Sequence, residues 1–286
     1  MSMAMRVVLA GVLFATGGAL IKSCEMPSLQ RAGVRALFAA CTLFALLPEA
    51  RQRPSRAVWL LIPAYFVATC FFVMANALTT AASTIFLQST APLWVLLLSP
   101  ALLGERPRPR DLAMLVGIAS GMALCFSAPN ETQATAPNPA LGNLLALLAG
   151  VGFAVLLVGM RRLAMRSPGD SAAVAAWGSV ATCPLSFALM PLIGQTPSVG
   201  TASDWLVLLV LGVFQVGLAY AIFVRALPHV PAVQASLLLM IEPAINPLFA
   251  LAAHGETPHW LTLAGGVLIV GSVAAGSVLR SPPRHS

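Results

Sequence analysis

The sequence predicts an all-α integral membrane protein, and its composition and charge pattern support this. Of its 286 residues, 58% are hydrophobic and 9% are charged, and its mean hydropathy is +0.88. A soluble domain carries about 25% charged residues because its surface faces water. Although the net charge is +7, the Lys and Arg residues lie singly or in short clusters between apolar blocks. This pattern indicates a membrane surface as the partner, and no nucleic acid.

Uncharged stretches of the chain are long enough for ten membrane-spanning helices, each of which needs about 20 mostly apolar residues. The predicted spans are residues 5–23, 33–48, 57–77, 83–103, 110–128, 141–160, 171–193, 204–224, 231–253 and 259–280. The second span is short. We expect Arg35 to extend it by reaching from its end to the membrane interface.

The positive charges predict the orientation of these helices. With a cytoplasmic N-terminus, thirteen of the sixteen Lys and Arg residues fall on the cytoplasmic side. The other three, Lys22, Arg31 and Arg35, lie between helices 1 and 2. Because positive charge accumulates on the cytoplasmic side of membrane proteins, we expect both termini to be cytoplasmic.

The chain contains an internal repeat. Residues 10–15 (AGVLFA) match residues 149–154 (AGVGFA). At a constant offset of 151 residues, four positions recur: Pro92 and Pro243, Gly104 and Gly255, Glu105 and Glu256, Pro107 and Pro258. We therefore predict two five-helix repeats, residues 1–135 and 139–286, within one membrane domain. Since five is odd, the second repeat has inverted topology, which is typical of secondary transporters that work by alternating access.

These motifs, Ala91-Pro92 through Pro107 and Glu242-Pro243 through Pro258, resemble the EamA-type branch of the drug/metabolite transporter superfamily. The overall pattern is most similar to the bacterial aromatic amino-acid exporters of the YddG type. The resemblance implies a multi-pass carrier in the bacterial inner membrane that exports amino acids or related small metabolites. It also implies that helices 1–4 and 6–9 surround a central cavity, with helices 5 and 10 at the periphery.

An alternative function is multidrug efflux of lipophilic cations. Small relatives in the superfamily use an acidic residue in helix 1 for this purpose. Here helix 1 has no acidic residue between Met5 and Cys24, which counts against the alternative, although Glu242 would serve as a substitute.

Glu242 is the principal candidate for the functional site because it lies in the middle of predicted helix 9. A charged side chain at the bilayer centre costs about 2.5–3.5 kcal/mol on insertion scales, and such residues usually face a cavity or a partner. It is a candidate proton carrier or contact for a substrate amino group. Alternatively, its carboxyl bonds backbone groups freed by Pro243 and Pro247 and so holds a broken helix. Its counterpart in the first repeat is Ala91.

Prolines place the predicted cavity along helices 4 and 9. Pro92, Pro243 and Pro247 remove backbone donors in mid-helix, and the freed carbonyls are tolerated only beside protein or a water-filled cavity. They are the candidate helix-break or gating residues. The amides of Gln88 and Asn246 are candidate substrate contacts, with helix–helix hydrogen bonding as the equal alternative.

Further candidates for substrate contact are Gln215, Tyr220, Trp94, Trp177 and Lys22. Aromatic rings in a cavity suit apolar or aromatic substrates. Trp177 is favoured as an interface anchor near a helix end. Lys22 either draws a carboxylate toward the cavity or extends to the interface. Glu105 and Glu256 are expected to complement helix dipoles at helix starts.

Enzymatic motifs are absent from the sequence: it has no H-E-x-x-H, G-x-S-x-G, P-loop or dinucleotide fingerprint. Five scattered cysteines lack metal-ligand spacing and indicate small packing residues. We therefore predict no catalytic activity, cofactor or metal. The predicted partners are a small-molecule substrate, the lipid bilayer and protons, while the oligomeric state stays open.

Overall fold

The computed structural model describes residues 2–104, 109–128, 136–254 and 259–278, with the side chains of residues 109–115, 168, 247, 248, 250, 253, 254, 273, 274 and 276–278 left out. Within these ranges the regular secondary structure is helical, with no β-strand. The repeated motif residues Glu105, Pro107, Gly255, Glu256 and Pro258 lie outside the described residues.

The α-helices are numbered in chain order. They are α1 Met3–Ala15, α2 Gly17–Lys22, α3 Ser28–Leu46, α4 Arg56–Leu78, α5 Ala81–Gln88, α6 Ala91–Leu103, α7 Pro109–Ser127, α8 Pro139–Arg166, α9 Pro168–Leu189, α10 Ala202–Val210, α11 Ala219–Ala226, α12 Ala232–Leu238, α13 Ile241–His254 and α14 Trp260–Val278. A π-helical segment, Leu211–Leu218, joins α10 to α11, so that the three form one continuous helix.

Seven helical stretches of the described chain are long and apolar enough to cross a membrane. They are Met3–Lys22, Ser28–Leu46, Arg56–Leu78, Ala81–Leu103, Pro139–Arg166, Gly169–Leu189 and Ala202–His229. Shorter apolar helices cover Val116–Ser127, Ala232–Asn246 and Trp260–Ser272. Large apolar side chains cover the outside of the bundle, where Leu60 is 79% and Val267 is 72% exposed. Such a surface suits lipid as its solvent.

The second predicted span needs a correction, because α3 begins at Ser28 rather than at residue 33. Pro27 stands at its N-cap, a position where proline's missing N–H costs nothing. The earlier start places Arg35 inside the helix, where only 3% of the residue is exposed. The expectation that Arg35 reaches the membrane interface is therefore wrong.

Two helices are interrupted just before a proline. Between α5 and α6 the break falls at Ser89–Thr90, before Pro92, and between α12 and α13 it falls at Leu239–Met240, before Pro243. A proline ring clashes with the carbonyl four residues earlier, so it favours a break one turn upstream. By contrast, α13 continues through position 247, which corrects the break expected at Pro247.

Two glycines of the repeated AG motif pack against these breaks. A Cβ atom on Gly11 of α1 would lie 2.6 Å from Cγ2 of Ile241, and one on Gly150 of α8 would lie 2.8 Å from the carbonyl oxygen of Gln88. Helix α1 therefore packs on the break between α12 and α13, and helix α8 packs on the break between α5 and α6. Because glycine has no side chain, each helix can approach the interrupted backbone of its neighbour.

The α7–α14 pair shows the close approach that G-x-x-x-G spacing favours. A Cβ atom on Gly121 would lie 2.6 Å from the carbonyl oxygen of Gly265, and one on Gly265 would lie 2.5 Å from the carbonyl oxygen of Gly121. The two backbones are therefore in direct contact at Gly121, which forms a G-x-x-x-G motif with Gly117 on α7.

Gly265→Ala should destabilise the protein by about 1–3 kcal/mol, because the added methyl group must separate two backbones. Gly271→Ala is the matched control on the same helix, since a Cβ atom at position 271 would meet no described atom within 4 Å. It should leave stability unchanged or raise it by about 1 kcal/mol through helix propensity. Thermal unfolding in detergent measures both. Equal melting temperatures for the two variants would contradict the packing account.

Candidate functional site

A cavity lies inside the bundle where the breaks before Pro92 and Pro243 face α3, α4, α8 and the π segment. Its polar lining consists of Arg35, Thr69, Gln88, Ser89, Gln215, Tyr220, Ser236 and Glu242. Phe14, Phe72, Phe153 and Met240 contribute apolar surface. The centres of water molecules can occupy about 60 Å³ of it, which is room for a few waters and too little for an amino acid.

Glu242 lies in the first turn of α13, directly after the break. It is half-buried and lines the cavity. No hydrogen bond or salt bridge among the described residues involves its carboxylate, so the backbone-bonding alternative has no support in this conformation. The N-terminus of a helix carries a partial positive charge that favours a carboxylate, which explains why an acid is tolerated at this depth.

Arg35 lines the same cavity from α3. Its Nη1 donates to Oε1 of Gln215 at 3.2 Å and its Nη2 donates to the carbonyl oxygen of Thr69 at 3.0 Å. Its Nε is buried and has no hydrogen-bond partner among the described residues. No carboxylate of the described residues pairs with it. The cavity therefore holds one guanidinium and one carboxylate that are not joined in an ion pair.

The break between α1 and α2 at Thr16 occurs without a proline and is stabilised by two side-chain amides. Gln215 donates through Nε2 to the carbonyl oxygen of Phe14 at 3.4 Å, and Asn246 donates through Nδ2 to the carbonyl oxygen of Ala15 at 3.2 Å. A Cβ atom on Gly17 would lie 2.6 Å from Nε2 of Gln215. Glycine at this position therefore lets the amide reach the broken backbone.

Gln215 connects the cavity to this break because it accepts from Arg35 and donates to Phe14. It lies in the π segment, a helix form that is frequent at functional sites. Asn246 is fully buried and does not line the cavity. Of the two amides, only Gln215 touches both the cavity and the break.

Aromatic side chains form one wall of the cavity. Tyr220 is 3% exposed, and its ring packs edge-on against Phe14 at 5.2 Å and tilted against Tyr65 at 5.5 Å between centroids. The hydroxyl of Tyr65 lies 2.6 Å from Oγ of Ser179, whereas no described group pairs with the hydroxyl of Tyr220. This wall presents apolar ring surface with one hydroxyl that no described residue engages.

Three other predicted residues lie away from the cavity lining. Trp94 donates to Oγ1 of Thr90 at 3.2 Å within its own helix. Trp177 donates to the carbonyl oxygen of Ala50 at 3.2 Å. Lys22 donates to the carbonyl oxygen of Thr79 at 2.8 Å. Each of these side chains therefore makes a hydrogen bond within its own helix or to a neighbouring segment.

Of the predicted residues, the structure brings Glu242, Gln88, Gln215 and Tyr220 together with Pro92 and Pro243. The side chain of Pro247 lies outside the described residues. Sequence reasoning missed Arg35 because it placed the start of helix 2 too late. The dipeptide Pro27-Ser28 is the signal that would have moved the start upstream. Within the described residues, no group of three His, Cys, Asp or Glu side chains could hold a metal ion.

The long apolar helices of the described residues are typical of a multi-pass membrane protein, and a cavity lies between them. The family model of the EamA-like transporter family matches residues 1–127 and again residues 140–277. The chain therefore belongs to the EamA-like transporter family, which makes it a membrane transporter rather than an enzyme.

Two curated relatives and one solved structure resemble this chain. An uncharacterized protein of Pseudomonas aeruginosa is 29% identical over 256 residues, which is 85% of this chain and 84% of the relative. The aromatic amino acid exporter YddG of Ancylobacter novellus is 30% identical over 189 residues, covering 66% of this chain and 64% of the exporter. A protein crystal structure with 22% identity superposes with a TM-score of 0.69 over 97% of this chain and 96% of that chain, which shows the fold.

Asn246→Ala should lower the stability of the protein by about 1–2 kcal/mol, because the carbonyl of Ala15 loses its amide donor inside the bundle. Gln88→Ala is the control. It removes an amide of α5 for which the described residues show no hydrogen bond, and it should cost less. Thermal unfolding of both variants in the same detergent measures the difference. If Gln88→Ala costs as much as Asn246→Ala, the amide of Asn246 does not stabilise the break.

Proposed function

We propose that the protein is an inner-membrane secondary transporter that exports amino acids or related small metabolites by alternating access. The observation that carries the proposal is the cavity between broken helices, in which Glu242 and Arg35 are both present and unpaired with each other. The Ancylobacter relative is an aromatic amino acid exporter, which supports the substrate class. The aromatic wall around Tyr220 suits an apolar or aromatic side chain.

The proposed architecture has ten membrane-spanning helices in two inverted repeats, residues 1–135 and 139–286, with both termini cytoplasmic. The breaks at Ser89–Thr90 and Leu239–Met240 support it, since each falls just before one of the two prolines that recur at the offset of 151 residues, and the two breaks agree with that offset to within one residue. The reciprocal packing of Gly11 and Gly150 on the two breaks also supports it, as do the two separate family matches.

The charge distribution supports this orientation. With Arg35 inside the bundle, the outer side keeps Lys22 and Arg31, against thirteen Lys and Arg residues on the cytoplasmic side. The asymmetry expected from the positive-inside rule is therefore stronger than the sequence alone suggested.

The proposed mechanism uses the interrupted helices as hinges. In this conformation the volume of the cavity is too small for an amino acid. Substrate entry therefore requires the surrounding helices to move apart on one side. Gly11 and Gly150, which contact the breaks, have no side chain that would obstruct this movement of the helices. Glu242 would take up a proton or contact the substrate's amino group when the cavity opens, because its carboxylate has no partner among the described residues.

Efflux of lipophilic cations is the second candidate, and the carboxylate of Glu242, which no described residue pairs with, favours it. The guanidinium of Arg35 in the same cavity opposes it, because a like charge in a low-dielectric site repels a cationic substrate. The two functions are therefore separable by the charge of the transported molecule.

Transport in proteoliposomes tests the proposal with labelled amino acids and an amphiphilic cation as substrates. Wild-type protein should give saturable amino-acid flux that a pH gradient drives, and Glu242→Gln should abolish the response to the gradient. Glu25→Gln is the control, because Glu25 is exposed outside the cavity. Flux that survives in Glu242→Gln with its pH response intact would make Glu242 structural. Cation flux without amino-acid flux would overturn the proposal.

Fusion reporters test the proposed orientation. Green fluorescent protein fused after residue 286 should fluoresce, and alkaline phosphatase at the same position should be inactive, because both report a cytoplasmic location. Alkaline phosphatase fused after residue 196, in a predicted outer loop, should be active. An active phosphatase after residue 286 would contradict the orientation.

A further inference from the structure

We propose that Arg35 is the carboxylate-binding group of the cavity, so that the transported molecules carry a free carboxylate. This inference rests on the proposed transport function and specifies the substrate class. Arg35 is 3% exposed, lies in the interior of α3, and has no acidic partner among the described residues. A buried charge in a membrane protein is costly and usually marks a substrate or ion pathway.

The hydrogen bonds of Arg35 leave capacity for an anionic ligand. A guanidinium carries five N–H donors, and protein acceptors take one from Nη1 and one from Nη2. Nε has no partner within the described part of the chain. Arginine's planar fork matches a carboxylate in a bidentate arrangement, which gives stronger hydrogen bonds than neutral acceptors do. The two present acceptors, an amide oxygen and a backbone carbonyl, are both neutral.

Gln215 occupies the place that a carboxylate would take. Its Oε1 accepts from Nη1 of Arg35 at 3.2 Å, and its Nε2 donates to the carbonyl oxygen of Phe14 at 3.4 Å. Both distances are at the long end for hydrogen bonds. A substrate carboxylate is a better acceptor for Arg35 and would replace the amide oxygen. Binding would then loosen the amide contact at the break between α1 and α2.

The remaining cavity surface complements the rest of such a molecule. Tyr220, Arg35 and Glu242 all line this cavity, so the aromatic wall and both charged groups face the same space. A molecule with a carboxylate, an amino group and an apolar side chain would satisfy Arg35, Glu242 and this wall together. A lipophilic cation would leave the guanidinium unpaired.

Binding of four related probes to purified full-length protein in nanodiscs tests the role of Arg35. The probes are L-phenylalanine, L-phenylalaninamide (no carboxylate), 3-phenylpropionate (no amino group) and tetraphenylphosphonium. Wild-type protein should bind L-phenylalanine roughly 30-fold or more tightly than the amide, since leaving a buried charge unpaired costs at least this much. This comparison needs no variant and so does not depend on how a variant folds.

Variants of α3 then assign the preference to one residue. Arg35→Gln should bring the affinity ratio of L-phenylalanine to its amide close to one, and Arg35→Lys should give an intermediate ratio because it keeps the charge without the fork. Arg31→Gln is the matched control. Arg31 lies one turn away on the same helix, donates to the carbonyl oxygen of Ile21 and does not line the cavity. It should keep the wild-type ratio.

The outcomes separate this inference from the proposed function. Binding of 3-phenylpropionate without L-phenylalanine would support the role of Arg35 and overturn amino-acid export. Equal binding of L-phenylalanine and its amide to wild-type protein would leave amino-acid export standing and overturn the role of Arg35. An unchanged ratio in Arg35→Gln would also overturn it. Binding of tetraphenylphosphonium alone, or of none of the four probes, would overturn both.

Discussion

Lipid offers no hydrogen bonds, so every backbone group freed by a helix break must find a partner inside the bundle. This constraint shapes the protein's interior. At the proline-free break after Ala15, the amides of Gln215 and Asn246 supply the missing donors. At the breaks before Pro92 and Pro243, glycines of α8 and α1 bring a neighbouring helix against the interrupted backbone. Protein must cover all three breaks, and the helices that cover them therefore pack around one polar cavity.

The two charges of the cavity follow from the same constraint. Glu242 is tolerated at the start of α13, where the helix dipole favours a carboxylate. Arg35 is tolerated because Gln215 and Thr69 supply acceptors. Gln215 then joins the guanidinium to the break at Thr16, so that one amide contacts both the proposed ligand-binding surface and a hinge. A ligand that displaces this amide would act on the hinge directly, which gives a physical route from binding to conformational change.

The sequence predicted the helical membrane class, and it placed the helical segments to within several residues. Uncharged stretches and prolines indicate locally where such segments begin and end. It also selected Glu242, Gln88, Gln215 and Tyr220 among the cavity residues. It missed Arg35, since the acceptors that make burial tolerable lie 34 and 180 residues away in the chain. Likewise, nothing local distinguished Asn246, which stabilises a break 231 residues away, from Gln88, which faces the cavity.

The most direct test of the account is an experimental structure of the protein with L-phenylalanine bound. The account predicts the ligand in the cavity with a carboxylate oxygen about 2.8 Å from a guanidinium nitrogen of Arg35. Its amino group should face Glu242 and its ring should pack on Tyr220, and Oε1 of Gln215 should no longer accept from Arg35. A ligand bound outside this cavity, or inside it with the Arg35–Gln215 hydrogen bond intact and the carboxylate elsewhere, would contradict the account.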